Sequence, residues 1–337
     1  MIKIKIPEYT ITLTDNNLKM LASLLKSHYR GEKLYIITDE NVANLYKNKV
    51  SEVLSNFTCH FTIIPPGETS KSLTQYHCVV KKLLRAGMKR DDFIVALGGG
   101  VVGDLAGFVA STLFRGVKFA HVPTTLLAQV DSSIGGKVAI DLAEGKNLLG
   151  AFYNPTFVFI DTVFLNTLTE RELRNGVAEM IKAGLIKDSS LYKKLKQQVP
   201  LDTSILAQAI EVKRHFILKD PFDQFERMLL NFGHTFGHAI EKVHHYQTYK
   251  HGEAISYGML IALEIGIKLG LTPRPLYDEI KELLLSYNLV KEPFLQKEAY
   301  LTAISNDKKA LSSGFHFILL KNIGEAIIHP LKVSDLA

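Results

Sequence analysis

The run Phe93-Ile94-Val95-Ala96-Leu97-Gly98-Gly99-Gly100-Val101-Val102-Gly103-Asp104 constrains this chain more than any other. Its apolar half suits a strand covered on both faces, and its glycines lead into a helix expected from about Asp104 to Thr112. Glycines admit positive φ and leave backbone N–H groups bare, while the helix start carries partial positive charge. An anion such as a nucleotide phosphate fits there. Gly98, Gly100 and Gly103 satisfy G-x-G-x-x-G, a pattern that also serves a tight strand-to-helix turn with no ligand. The acid that usually follows about 20 residues later is missing, because that position falls in Val122-Pro123-Thr124-Thr125. An ordinary Rossmann dehydrogenase is therefore not the first choice, and an acid that holds a ribose must come from elsewhere.

The first half alternates strand and helix signals. Met1–Ile6 alternates strictly, and Leu34–Thr38, Phe61–Ile64, Lys118–Val122 and Thr156–Ile160 read as further strands, with an amphipathic helix over about Ser72–Ala86. Polar residues gather where these strands end, at Asp39-Glu40-Asn41, Pro65-Pro66-Gly67-Glu68 and Pro123-Thr124-Thr125. Ligands bind along the carboxyl edge of such a sheet. After Asp161 the texture turns to 3.6-residue periodicity, with helices expected at Glu170–Ile186, Ser189–Lys196, Ser204–Lys219, Glu226–His244, Gly252–Leu269, Leu276–Tyr287 and Glu298–Asp307. A hairpin, Phe315–Leu320 with Glu325–His329, follows. The expectation is an α/β N-terminal domain over residues 1–161, a parallel sheet with Rossmann-like nucleotide binding, and a mainly α-helical C-terminal domain over residues 162–337.

Composition narrows the partners. No apolar stretch reaches the roughly 20 residues of a membrane span, and the N-terminus lacks a signal-peptide core, so a cytoplasmic protein without a membrane is expected. Cys59 and Cys78 fit that compartment as small buried hydrophobes. The net charge of +6 is scattered, without an Arg-rich arm, which favours an anionic small molecule over nucleic acid.

Three groups of residues can carry chemistry. Asp131-Ser132-Ser133-Ile134-Gly135-Gly136-Lys137, Asp141 and Gly145-Lys146-Asn147 form a polar loop whose lysines can reach phosphate oxygens. Val138 stands where a Walker A loop needs Ser or Thr. In the helical half, His234 and His238 lie four apart on one helix face, His251 opens the next helix, and Glu179 sits in an apolar helix near Lys182. A glutamate in that context asks for a cation, and one Glu with two of the His residues makes a zinc set with an open position. Finally, Arg227, Asn231 and His238 fall at spacings that share one face of the Glu226–His244 helix with His234. Lys182 and Lys213 can converge on them, which suits a substrate bearing carboxylate and phosphate.

Together the Gly98–Asp104 turn, Val122–Leu127, Asp131–Lys137, Gly145–Asn147, Glu179–Lys182, Asn231–His238 and His251–Glu253 resemble the 3-dehydroquinate synthase family, in the family's order, from about Asp39 to Lys308. The resemblance implies bound NAD, a divalent metal, zinc or else cobalt, and a homodimer. It makes Glu179, His234 and His251 the metal ligands, and leaves His238 for substrate binding or proton transfer. It lays NAD against Asp39, Asn41, Glu68, Lys71, Gly99, Gly100, Val101, Asp104, Thr124 and Thr125, with Thr167, Leu168 and Glu172, so that Asp39 holds the ribose. Lys213 and Arg227 grip the substrate carboxylate. Lys137, Asn147, Asn231, His238 and Lys308 surround its phosphate with Arg115 from a second subunit, while Asp131, Lys146 and Lys182 contact hydroxyls or stabilise charge. The implied reaction converts 3-deoxy-D-arabino-heptulosonate 7-phosphate, a sugar-phosphate acid, into 3-dehydroquinate and phosphate in the shikimate pathway. Its steps are transient oxidation, β-elimination, reduction, ring opening and intramolecular aldol closure. Asp223 stands where the family shows Glu, and Phe225 replaces a usual glycine. Three other readings differ in outcome: another sugar-phosphate cyclase, a metal- and NAD-dependent polyol dehydrogenase that releases NADH, and a nucleotide sensor without turnover.

Overall fold

Apolar alternation in Ile2-Lys3-Ile4-Lys5-Ile6 forms an edge strand, β1 (Ile2–Ile6), which turns back at once as β2 (Tyr9–Thr14). The computed structural model describes residues 1–295, 297–308 and 315–331. They divide into two compact units, Met1–Thr169 with Leu201–Ala207, and Glu170–Pro200 with Gln208–Ala337.

The first unit continues with α1 (Lys19–His28), β3 (Lys33–Asp39), α2 (Glu40–Val53), β4 (Thr58–Ile64), α3 (Leu73–Arg85), β5 (Phe93–Gly98), α4 (Gly100–Thr112), β6 (Lys118–Pro123), β7 (Lys137–Leu142), β8 (Gly145–Phe152) and β9 (Phe157–Asp161). Seven strands form one sheet in the order β1-β2-β9-β6-β5-β3-β4, parallel except for the β1–β2 pair. Successive residues of β3 face opposite ways. Tyr35 and Ile37 enter a core with α3 and α4, whereas Leu34 and Ile36 enter one with α1 and α2. Central β5 is buried along its whole length, as its unbroken apolar run requires. The parallel strands therefore end on one edge, and β3, β5 and β6 deliver Asp39, Gly98 and Pro123 there in register.

Three expectations for this unit need correction. The glycines at 98–100 adopt no positive φ; Gly99 has φ −74°. Their small size is what matters, since a Cβ on Gly98 would lie 2.6 Å from the Val102 Cβ. The polar loop after Asp131 contains a hairpin, β7 with β8, against which α4 packs closely enough that a Cβ on Gly107 would lie 2.3 Å from Val138. The cysteines are both free, but Cys78 is exposed and Cys59 half-buried, so neither is the buried hydrophobe expected.

The second unit contains α5 (Glu170–Ile186), α6 (Ser189–Lys196), the part of α7 (Thr203–Lys219) from Gln208 on, α8 (His234–Val243), α9 (His251–Lys268), α10 (Arg274–Ser286), α11 (Leu301–Lys308) and an antiparallel hairpin, β10 (Phe315–Asn322) with β11 (Glu325–Leu331). The single helix expected over Glu226–His244 is broken. Residues Glu226–Asn231 form a 3-10 turn, Gly233 takes φ +79°, and α8 starts only at His234. The cause lies in α9, because a Cβ on Gly258 would stand 1.9 Å from the Gly233 carbonyl oxygen. The chain bends where two backbones nearly touch.

Candidate functional site

In the first unit a charged network assembles around Lys71. Glu68 and Lys71 follow β4 on a short turn, and Asp104 sits one turn into α4. Lys71 Nζ lies 2.6 Å from Asp104 Oδ2 and 4.0 Å from Glu68 Oε1, and it donates to the Asn147 side chain. Lys146 reaches Glu68 at 3.3 Å, and Asp141 accepts the Asn147 backbone N–H at 2.9 Å. The Asp141 backbone N–H donates to the Lys71 carbonyl at 2.7 Å, which ties β7 to this turn. Burial alone would lower the Lys71 ammonium, but Asp104 and Glu68 outweigh it and hold the group above its ordinary value. Burial raises the Asp104 carboxyl despite Lys71.

The same edge has the features of a dinucleotide site. Thr38 Oγ1, at the end of β3, and Thr124 Oγ1, after β6, are buried hydroxyls without a protein partner among the described residues. Gly99 and Gly100 present backbone with Thr125 and Ser132 close by, since a Cβ on either would lie 3.0–3.1 Å from those side chains. Orphaned buried hydroxyls beside a bare helix start fit a polar ligand. Asp39 caps α2 by accepting the Val42 N–H at 3.0 Å, and Asn41 is exposed in the first turn of that helix. Val101 lies in the first turn of α4, and Thr167 shares a 2.7 Å hydrogen bond with Tyr46 just before Leu168. Asp131 lies in a π-turn over Ala128–Ser132, Lys137 starts β7 exposed, and Asn147 has φ +58°. Arg115 is exposed beyond α4, and it and Phe114 both take positive φ, at 64° and 52°. Such strain in two consecutive residues persists only where the surroundings enforce it.

In the second unit Glu179 lies in the stretch of α5 that is buried from Asn175 to Ile186. Its Oε1 lies 3.2 Å from His251 Nε2 and 3.5 Å from His234 Nε2, while Oε2 pairs with Lys182. Two ligands at about 2.05 Å from a tetrahedral zinc ion stand about 3.3 Å apart, so this donor set fits such an ion. His238 completes a trio of imidazoles, its ring 5.3 Å from His234 and 6.2 Å from His251, and it is exposed. Burial opposes the Glu179 carboxylate, yet Lys182 and the two imidazoles hold its pKa well below the ordinary value. Burial likewise disfavours protonated His251, but Glu179 and Glu241 outweigh it and push the ring up to about 10. His234 is lowered by burial and by Lys182.

Local contacts explain why His251 arrives there. The Gly252 N–H donates to Asn175 Oδ1 at 2.5 Å, and a Cβ on Gly252 would stand 2.4 Å from the Asn175 carbonyl. Arg171 holds both carboxylate oxygens of Glu253 at 2.7 Å, and Glu172 pairs with Lys250 at 2.7 Å. The start of α9 is thus fastened to α5 one turn before Glu179.

Lys213 and Arg227 are both buried. Arg227 donates to the Pro221 carbonyl at 2.7 Å, and its backbone N–H reaches Asp220, which also accepts from Gln224 and Phe225. Asp223 has φ +60°, and Phe225 is 69% exposed. Arg227 and Asn231 lie on the 3-10 turn, so the expectation that they share one helix face with His234 and His238 is overturned by the break at Gly233. Lys308 ends α11, and its side chain lies outside the described residues. Glu241 was missed. It is buried, and its Oε1 lies 3.6 Å from His251 Nδ1; a lone acid on an apolar helix face, the signal that singled out Glu179, marks it equally.

A family profile described as 3-dehydroquinate synthase N-terminal matches residues 61–175, and one described as 3-dehydroquinate synthase C-terminal matches residues 176–310. The 3-dehydroquinate synthase of Thermoanaerobacter pseudethanolicus is 41% identical over 99% of this chain and 97% of its own length. Among solved structures, 2-epi-5-epi-valiolone synthase from Streptomyces hygroscopicus, with NAD+ and Zn2+ bound, superposes with a TM-score of 0.88 at 25% identity, covering 99% of this chain and 96% of that one. A 2-deoxy-scyllo-inosose synthase complexed with carbaglucose-6-phosphate, NAD+ and Co2+ gives 0.86 at 25% identity over 97% and 95%. With both halves of the profile matched in order along the chain, this protein belongs to the 3-dehydroquinate synthase family.

Proposed function

We propose that this chain is a lyase that converts 3-deoxy-D-arabino-heptulosonate 7-phosphate into 3-dehydroquinate and phosphate, using NAD and a divalent ion, zinc or cobalt. When bound, NAD supplies a reversible hydride acceptor and the ion a Lewis acid for hydroxyl oxygens. Residues 1–161 bind the dinucleotide, through Asp39, Asn41, Glu68, Lys71, Gly99, Gly100, Val101, Asp104, Thr124 and Thr125, with Thr167, Leu168 and Glu172 from residues 162–337. The latter segment holds the ion through Glu179, His234 and His251. Lys213 and Arg227 bind the carboxylate, and their burial keeps those charges strong and fixed. Lys137, Asn147, Asn231, His238 and Lys308 hold the phosphate, with Arg115 supplied by a second copy of the chain. Asp131, Lys146 and Lys182 orient hydroxyls, and exposed His238 is placed to move a proton beside the ligand cluster.

The observation that carries the substrate assignment is that two cations, Lys213 and Arg227, are each buried. They favour a carboxylated sugar phosphate over the uncarboxylated substrates of other cyclases. Homodimer formation is supported by the apolar surface of the β7–β8 hairpin, where Leu148 is 60% and Phe152 49% exposed. Free cysteines suit the cytoplasm. The test is to mix the protein with zinc, the heptulosonate phosphate and NAD far below the substrate concentration, then follow phosphate and NADH together. Many phosphates released per NAD support the proposal. Stoichiometric NADH without phosphate supports a polyol dehydrogenase, and NAD binding without turnover a sensor.

A further inference from the structure

Each member of the ligand cluster has a second contact behind it. Glu179 Oε2 pairs with Lys182, and His234 Nδ1 faces the Phe232 carbonyl at 3.2 Å. For His251 the group behind the ring is Glu241, with Oε1 3.6 Å from Nδ1 while Nε2 faces Glu179 at 3.2 Å. Glu241 lies seven residues after His234 on α8, two turns along the same face. One helix thus carries both a ligand and the carboxylate that meets the ligand of the next helix.

We propose that Glu241 is a positioning residue that keeps the Nδ1 proton of His251 and fixes the ring so that, once a divalent ion displaces the Nε2 proton, the Nε2 lone pair is directed into the cluster. The inference rests on the reading that Glu179, His234 and His251 hold the divalent ion. A histidine can present only one ring nitrogen as a lone pair when the other is protonated, and a carboxylate behind that proton sets both tautomer and ring orientation. A buried carboxylate also makes the imidazole a stronger donor than a neutral carbonyl does, so His251 and His234 are unequal ligands. A competing geometry exists, because ligand atoms of His238, Glu241 and His251 also lie within 4.8 Å of one another. It would use exposed His238 and leave buried Glu179 out.

The experiment measures zinc affinity by competition with a chromophoric chelator, for wild type, Glu241→Gln, Glu241→Asp, His238→Ala and Glu179→Gln. Cobalt-loaded wild type and Glu241→Gln are compared by visible absorption. Glu241→Gln should weaken zinc about 10- to 100-fold and shift the cobalt bands at saturation. His238→Ala should keep wild-type affinity. Glu241→Asp, which keeps the charge one methylene back, should fall between wild type and Glu241→Gln; should Glu241→Gln fail to fold, Glu241→Asp alone carries the comparison and must be weaker than wild type. Unchanged affinity in the folded Glu241 variants overturns the proposal. Loss of zinc in Glu241→Gln as complete as in Glu179→Gln, together with loss in His238→Ala, also overturns it and makes Glu241 a direct ligand. If Glu179→Gln retains zinc fully, the ligand reading fails, an outcome separate from any Glu241 result.

Discussion

Lys182 forms an ion pair with Glu179 one turn away on α5, and both side chains are buried. The ammonium therefore neutralises in the metal-free protein the same carboxylate that would bind a divalent ion. Lys182→Met should lower metal-free stability, by less than the about 3–5 kcal/mol of a buried pair that loses its only counter-charge, because the raised His251 ring still faces the Glu179 carboxylate. Saturating zinc should return most of that loss. Urea unfolding with chelator and with zinc measures both, and an equal deficit in the two conditions would show that Lys182 and the ion do not share Glu179.

The histidines predict a contrast. His251→Ala removes one of three ligands and should lower zinc content after dialysis sharply, whereas His238→Ala should keep the metal and lose turnover. Zinc content and phosphate release on the same samples decide it. The reverse pattern would move the ion to the histidine pair on α8.

Arg115, exposed beyond α4, predicts shared sites. Arg115→Ala and Lys182→Ala subunits, each nearly inactive alone, should regain activity when mixed and re-associated, toward one intact site per heterodimer. No gain in any mixture would leave Arg115 outside the site.

Asp220 predicts acid sensitivity. Burial alone would raise its pKa, but N–H donors from Gln224, Phe225 and Arg227, with the Arg227 charge, hold it below the ordinary carboxylate value. A carboxyl lowered on folding stabilises the protein above its unfolded pKa of about 4, and that contribution is lost as pH falls through the lower folded value. Asp220→Ala should cost about 1–3 kcal/mol at pH 7 and raise KM, since Arg227 loses its anchor. The stability gap from wild type should narrow as unfolding is followed from pH 5 toward pH 2.5; a constant gap would mean that the charge is not what matters.

Much of this was legible because burial writes itself into composition. The unbroken apolar run of β5 and the alternation of β1 needed no tertiary information. The break before α8 did. Apolar spacing continues through Phe232 and Phe236, so periodicity reads one helix, and only the backbone of α9 at Gly258 shows why Gly233 must bend. The β7–β8 hairpin was hidden for the opposite reason. Glycines and lysines at its ends dilute the alternation, and its exposed strand β8 carries apolar residues on the outside. Glu241 escaped notice because its partner, His251, lies beyond an intervening loop.

The sheet order has a consequence for how the chain is made. Hairpin β1–β2 is synthesised well before β9, yet β2 pairs with β9, where Thr14 meets Asp161 and its hydroxyl donates to that carboxylate at 2.9 Å. These two strands must wait for β3 to β9 to be made before the inner edge of β2 is satisfied. Closing so long a loop is slow, and until Asp161 arrives the waiting edge of β2 is open to pairing with the wrong chain. Premature termination before β9 should therefore yield aggregates, not a smaller folded domain.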